Sequence, residues 1–288
     1  MTALGAEERL LGEVAVTERE LRCAGVRTAV LVGGEGPPVV LLHGPGEFAA
    51  CWFGVIPALR GAHRVVAPDL PGHGSSGEAD GRLDADRTVR WLDELIAQTC
   101  AEPPTVVGHL LGGAIAARFA AAHPDRLARL VLVDSYGLTR FRPEPGFALA
   151  LAGFAARPTE RSRDRLFRRR AVEPDRVRDE LGAAVTAFET QVLAAARTRR
   201  QRAALRSLFL RLALPAIPEE ELARVTVPTS LIWGREDRQA RLRGAQAAHE
   251  RYGWPLHIID GSGDDPALER LEAFLTALRA ALAEGGRP

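Results

Sequence analysis

Short apolar runs recur along the chain with longer amphipathic stretches between them. Residues 13–34 alternate apolar and polar positions (EVAVTERELR, then VRTAVLVGG), a period of two that predicts a hairpin or two antiparallel edge strands. Residues 39–42, 64–67, 105–107, 130–133, 231–233 and 256–259 are instead continuously apolar, as in strands covered on both faces of a parallel sheet. Helical spacing fills the intervals, at residues 53–59, 87–100, the segment AIAARFAAAH and the amphipathic close at 266–282. This alternation predicts an α/β fold, a mainly parallel sheet with helices on both faces. Between Gly137 and Val225 the rhythm changes to helices alone, with arginine-rich faces such as RSRDRLFRRR and RTRRQRAALR. A helical insertion between two parallel strands predicts a lid over the C-terminal sheet edge, where open sheets bind ligands. The expected parts are a core from 1–136 and 226–288, with the lid at 137–225.

Composition narrows this picture. The 288 residues suffice for one large domain carrying an insertion, and 46% hydrophobic with 26% charged residues is ordinary for a globular protein. A net charge of +1 gives no reason to expect nucleic acid or a membrane surface as partner. All 38 basic residues are arginine, a bias of high-GC bacterial coding. Cys23, Cys51 and Cys100 are scattered, reading as free thiols in a reducing cytosol. The first residues carry charge and no apolar signal core, so a cytoplasmic location is expected. No metal-ligand spacing, phosphate loop or dinucleotide fingerprint occurs, so neither a metal nor a cofactor is implied.

The chemistry turns on VVGHLLGG at residues 106–113: a β-branched run, a glycine turn, then a helix. That is the setting of a nucleophile elbow, G-x-S-x-G, yet its central position holds Leu110. With VVLLHGPG at 39–46, VVAPDLPGHGSSG at 65–77, LVLVDSYGL at 130–138, LIWGRED at 231–237 and the segment 260–275, the chain resembles the α/β-hydrolase superfamily over nearly its whole length. The resemblance implies an α/β-hydrolase fold and a nucleophile–acid–histidine triad in that chain order. Carried over by position, the nucleophile falls on Leu110, the acid on Asp237 and the histidine on Asp264, with Asp265 as the alternative register. Leucine cannot attack a carbonyl, and a carboxylate cannot relay a proton as imidazole does. The oxyanion hole would use the amide of Leu111 and one from the loop Gly44-Pro45-Gly46, where Pro45 has no N–H. These departures argue against a serine hydrolase.

What remains suggests acid–base work in a shaped cavity. Asp237, Asp264 and His109 are the candidate catalytic groups, the two carboxylates being expected to face each other and share a proton. Gly44, Pro45, Gly46, Glu47, Trp52, Leu110, Leu111, Ser135 and Tyr136 are the candidate substrate-binding residues, with Leu110 as an apolar floor. His43 and His73 read as structural loop residues, and the lid's Phe141, Phe147, Phe154, Phe167, Phe188 and Phe209 as lid core. The expected function is a non-hydrolytic enzyme of bacterial specialised metabolism, a cyclase, isomerase or lyase acting on a small, largely apolar substrate such as a polyketide. The alternatives are a catalytically inactive pseudo-hydrolase that binds or senses a small molecule, and an atypical hydrolase. An acidic carrier protein is a candidate partner for the lid cluster Arg168, Arg169 and Arg170.

Overall fold

The computed structural model describes residues 10, 12, 16–79 and 83–283. Eight strands form one sheet: β1 (Thr17–Cys23), β2 (Val26–Gly33), β3 (Pro38–Leu42), β4 (Arg64–Pro68), β5 (Thr105–His109), β6 (Arg129–Val133), β7 (Thr229–Gly234) and β8 (Leu256–Ile259). Their spatial order is β1-β2-β4-β3-β5-β6-β7-β8. β1 and β2 form the antiparallel hairpin, β2 runs antiparallel to β4, and the remaining pairs are parallel. Residues 13–15 of the expected hairpin segment lie outside the described residues.

Twelve α-helices accompany the sheet among the described residues: α1 (Val55–Leu59), α2 (Ala85–Thr99), α3 (Leu111–Ala122), α4 (Pro145–Ala156), α5 (Glu160–Arg170), α6 (Pro174–Leu181), α7 (Ala183–Arg197), α8 (Arg199–Leu208), α9 (Glu219–Leu222), α10 (Leu242–Tyr252), α11 (Pro266–Glu269) and α12 (Leu271–Ala283). The segment expected as one closing helix is thus divided at Arg270, which takes φ −144 and ψ 56. Two apolar clusters sandwich the sheet. One centres on α2 and α3 with Trp91, Phe119 and Leu132, and the other on α1 and α12 with Ile56, Phe274 and Leu278. Central strands β3 and β5 are buried at every position, which is why they read as unbroken apolar runs. Helices α4 to α9 are the insertion, and a single-turn π-helix at Phe209–Ala213 follows α8. No helix among the described residues is long and apolar enough to cross a membrane.

Candidate functional site

Strand β5 runs into α3 through Leu110, which takes φ 46 and ψ −104. A non-glycine residue in this region stores roughly 1–3 kcal/mol of strain, held only where the surroundings enforce it. Three glycines enforce it here. A Cβ on Gly112 would lie 2.4 Å from Leu42 O, one on Gly113 would lie 2.3 Å from Ser135 Oγ, and one on Gly108 would lie 2.6 Å from the Gly113 backbone. Leu110 N donates to Val133 O, and Tyr136 N donates to Leu110 O, tying the turn to the end of β6. The elbow is therefore intact, and it presents an isobutyl group.

Behind Leu110 lies a buried ionic cluster. Gly44 N donates to Glu47 Oε2 at 2.8 Å, and the same oxygen stands 3.4 Å from His109 Nδ1. His109 Nε2 donates to the Asp264 carbonyl at 2.6 Å. Burial disfavours a cation on His109, but the Glu47 carboxylate outweighs it and lifts the imidazole to about 9. Burial likewise works against a charged Glu47, yet His109 and Arg170 hold its carboxyl well below the ordinary range. Arg170, the last residue of α5, completes the cluster. Its Nε donates to Asp264 Oδ2 at 2.9 Å and Oδ1 at 3.2 Å, and its Nη2 donates to Glu47 Oε1 at 3.0 Å. A lid guanidinium thus bridges Glu47 and the carboxylate that stands at the position where the resemblance puts a histidine.

This changes the expectation for the carboxylates. Asp264 is the partner of Arg170, through both of its carboxylate oxygens. Asp265 caps α11 by accepting from Leu268 N, and one of its oxygens lies 3.7 Å from Arg170 Nη2. Asp237 Oδ1 accepts from Gln239 N and Ala240 N, and its other oxygen meets Asp134 at the end of β6. Burial first, then the charge of Asp264, pushes Asp237 up to about 7. Burial and the Asp237 charge push Asp134 well above the carboxylate range. Two buried carboxylates that oppose each other in this way do not both ionise cheaply. Asp134 Oδ1 is already taken by Gly234 N, which orients the pair.

Above Leu110, under the lid, is a chamber of about 730 Å³. Of the nine expected binding residues, Pro45, Gly46, Leu110 and Tyr136 line it. The other five do not. Glu47 turns back onto Gly44 and His109, and Gly44 sits beneath that carboxylate. Trp52 packs edge-on against His109 and beside Phe274; Leu111 is in the core; Ser135 donates to Tyr136 O and borders a different crevice. The candidate acids Asp237 and Asp264, and His109, are likewise absent from the lining. The lid phenylalanines divide: Phe147, Phe154 and Phe209 line the chamber. Phe188 stacks on Phe48, Phe167 lies under Arg178, and Phe141 meets Tyr136 edge-on. His43 and His73 are buried loop anchors, Leu70 N donating to His43 Nε2, although His73 also reaches the chamber wall. Among the described residues no cluster of His, Cys, Asp and Glu could hold a metal ion.

The eight-stranded, mainly parallel sheet is also the fold that the comparisons find. The Alpha/beta hydrolase family profile matches residues 39–277. The chain belongs to that family. A pimeloyl-[acyl-carrier protein] methyl ester esterase of Aeromonas hydrophila is 33% identical over 224 residues, covering 76% of this chain and 84% of the esterase. An uncharacterized protein of Mycobacterium tuberculosis is 30% identical over 301 residues, covering 91% and 85%. Among solved structures, a mutant meta-cleavage product hydrolase from Pseudomonas fluorescens, complexed with acetates, superposes with TM-score 0.74 at 28% identity, covering 93% and 98% of the two chains.

Sequence reasoning passes over Asp134 and Gln239, and it places Arg170 in a surface cluster and not in the site. Arg170 sits in a run of three basic residues on a polar helix, where nothing distinguishes the one that turns inward. Asp134 had a signal, the end of a continuously apolar strand at the ligand-binding edge. The arginine cluster itself comes apart in space. Arg168 pairs outward with Asp175, the Arg169 carbonyl accepts from Arg238, and Arg170 is interred, so the three form no single docking patch.

Proposed function

We propose that this member of the hydrolase family encloses a small, largely apolar molecule in its lidded chamber and forms no acyl-enzyme with it. The observation that carries this reading is Leu110, an apolar floor at the one position where the elbow would present a nucleophile. The rest of the site agrees. His109 and Asp264 are committed to buried ion pairs and reach no chamber wall, so neither stands ready to activate a hydroxyl or a water there. Pro45 has no N–H and the Gly44 amide is taken by Glu47, which weakens the oxyanion hole. The names of the relatives join acyl esters and dienoates, molecules with an apolar body and one polar end. Such a shape suits walls of Phe147, Leu151, Phe154 and Val192 with Tyr136 and Arg170 at the inner end.

A second reading, the cyclase, isomerase or lyase of specialised metabolism, is favoured by one observation. Tyr136 lines the chamber with its hydroxyl donating to Gln239 Oε1 at 2.5 Å. Burial keeps that phenol protonated well past its usual range, so on turning its O–H from Gln239 it can polarise a carbonyl by hydrogen bonding without a nucleophile. The two readings separate in one experiment. A neutral, environment-sensitive naphthyl fluorophore should brighten on binding wild type and lose that signal in Ala196→Trp, which fills the chamber. Neither the fluorophore nor nitrophenyl esters should become attached covalently, as read by intact mass. A stable acyl adduct on wild type would overturn the reading, and Tyr136→Phe altering turnover of a cyclisable substrate without altering binding would establish the second.

A further inference from the structure

On the other side of the Tyr136–Gln239 contact is a shallow crevice whose charge the chamber does not explain. Arg140 and Arg142, after β6, and Arg241 and Arg243, at the start of α10, border it together with Thr139 and Ser135. Among the described residues none of these four arginines is paired with a carboxylate, and no acidic side chain lines the crevice. The lid arginines behave differently, since Arg168, Arg170, Arg176 and Arg178 each hold an acid. Four guanidinium groups gathered without a counter-charge repel one another, an arrangement that asks for an anion.

Two further observations point the same way. Helix α10 begins with no side-chain cap and no acidic residue in its first turn. Its cap residue is Arg241 and its second residue Arg243, so cations stand at the positive end of the helix dipole, the reverse of the stable placement. Gly244 keeps this turn tight against the loop, a Cβ there lying 3.2 Å from Thr139 Oγ1. Gln239 is 5% exposed and lines both the crevice and the chamber; its Oε1 accepts from Tyr136, while its Nε2 donor has no partner among the described residues. An unspent amide donor, the amides at the start of the helix and forked guanidinium groups are the set that phosphate oxygens satisfy.

We propose that this crevice binds a phosphoryl dianion, held by Arg241, Arg243 and the amides of Leu242 and Arg243 at the start of α10, with Arg140 and Arg142 closing from the facing loop. The excess of cations favours a doubly charged group over a carboxylate. The site is separate from the chamber, so its test stands whether or not the chamber reading survives. Thermal melts of the full chain in sodium phosphate, against sodium chloride at matched ionic strength, should show a saturable rise in Tm with phosphate alone. The double variant R241Q/R243Q should melt higher than wild type in chloride, because the clash with the dipole is gone, and should bind phosphate at least tenfold more weakly. R168Q, a surface control, should keep the wild-type phosphate response. Phenyl phosphate binding more tightly than inorganic phosphate assigns the end of an ester, and equal binding assigns the free anion. The proposal is overturned if phosphate stabilises no more than chloride, or if R241Q/R243Q responds to it as wild type does.

Discussion

Arg170 of the lid grips both carboxylate oxygens of Asp264, its Nε standing 2.9 Å from Oδ2 and 3.2 Å from Oδ1. The same guanidinium reaches Glu47, so one lid residue neutralises two buried acids from two loops of the core. Removing one member of such a buried group leaves charges without a partner, which costs far more than the intact group contributes.

Arg170→Ala should therefore destabilise the fold by about 3–5 kcal/mol in urea unfolding. Arg170→Ala combined with Glu47→Gln and Asp264→Asn should recover a large part of that loss. A single variant as stable as wild type would show the cluster to be energetically idle.

The pH dependence follows from the same groups. His109 is raised to about 9, so its contribution is complete below its unfolded pKa of about 6.5 and lost as pH rises through 9. Asp237 and Glu269, raised by burial to about 7 and about 8, act in the same sense: their contributions are complete below their ordinary values and lost through those pH values. Glu47 is lowered, and its contribution is lost as pH falls below the carboxylate range. The melting temperature should peak in mildly acidic solution, about pH 5–6, and fall steadily toward pH 9–10. The gap between wild type and His109→Gln should shrink from pH 6 to pH 10; a constant gap would place no proton on His109.

Restoring two missing side chains should not restore a hydrolase. Leu110→Ser with Asp264→His puts back nucleophile and base, but it removes the partner of Arg170 and sets the new imidazole beside that guanidinium. The loop still lacks an amide at Pro45, an oxyanion donor worth roughly 3 kcal/mol. Nitrophenyl ester turnover by the double variant should stay within about tenfold of the denatured control. Efficient acyl-enzyme formation in burst kinetics would show the oxyanion loop to be competent.

The elbow should be intolerant of even one carbon. Gly112→Ala places a Cβ 2.4 Å from Leu42 O, a backbone atom of a central strand that cannot move aside. A loss of at least about 1–3 kcal/mol is expected. Gly153→Ala, where a Cβ meets nothing within 4 Å, should be neutral or stabilising because alanine favours the helix. Equal melting temperatures for the two variants would contradict this account.

The fold was legible because its signals are local. Buried strands such as β3 and β6 must be continuously apolar, and the glycines at 108, 112 and 113 answer contacts that any sharp strand-to-helix turn creates. The leucine at the elbow was legible for the same reason, being one residue in one motif. The site's wiring was not. Arg170 is separated from Asp264 by 94 residues and from Glu47 by 123, and no pattern within either segment encodes the meeting. The carboxylate pairing was read incompletely for a related reason. Asp237 was matched to Asp264, its successor in chain order, and the residue after the adjoining strand, Asp134, acts on it as well.

The backbone beneath the ionic cluster has a consequence for how anything enters. A Cβ on Gly263 would lie 2.0 Å from Arg170 O, and one on Gly234 would lie 1.8 Å from Gly263 O. Sheet edge, loop and lid helix are thus stacked main chain on main chain, and just beyond them Val172 N donates to Glu269 Oε2. That side of the lid is a seam. Across the chamber, Arg202, Arg206 and Leu210 are exposed where they border it, with Leu210 showing 52% of its surface. At those three residues the chamber lining reaches the surface, beside two cations and a leucine, none of them at a position carried over from the family's triad.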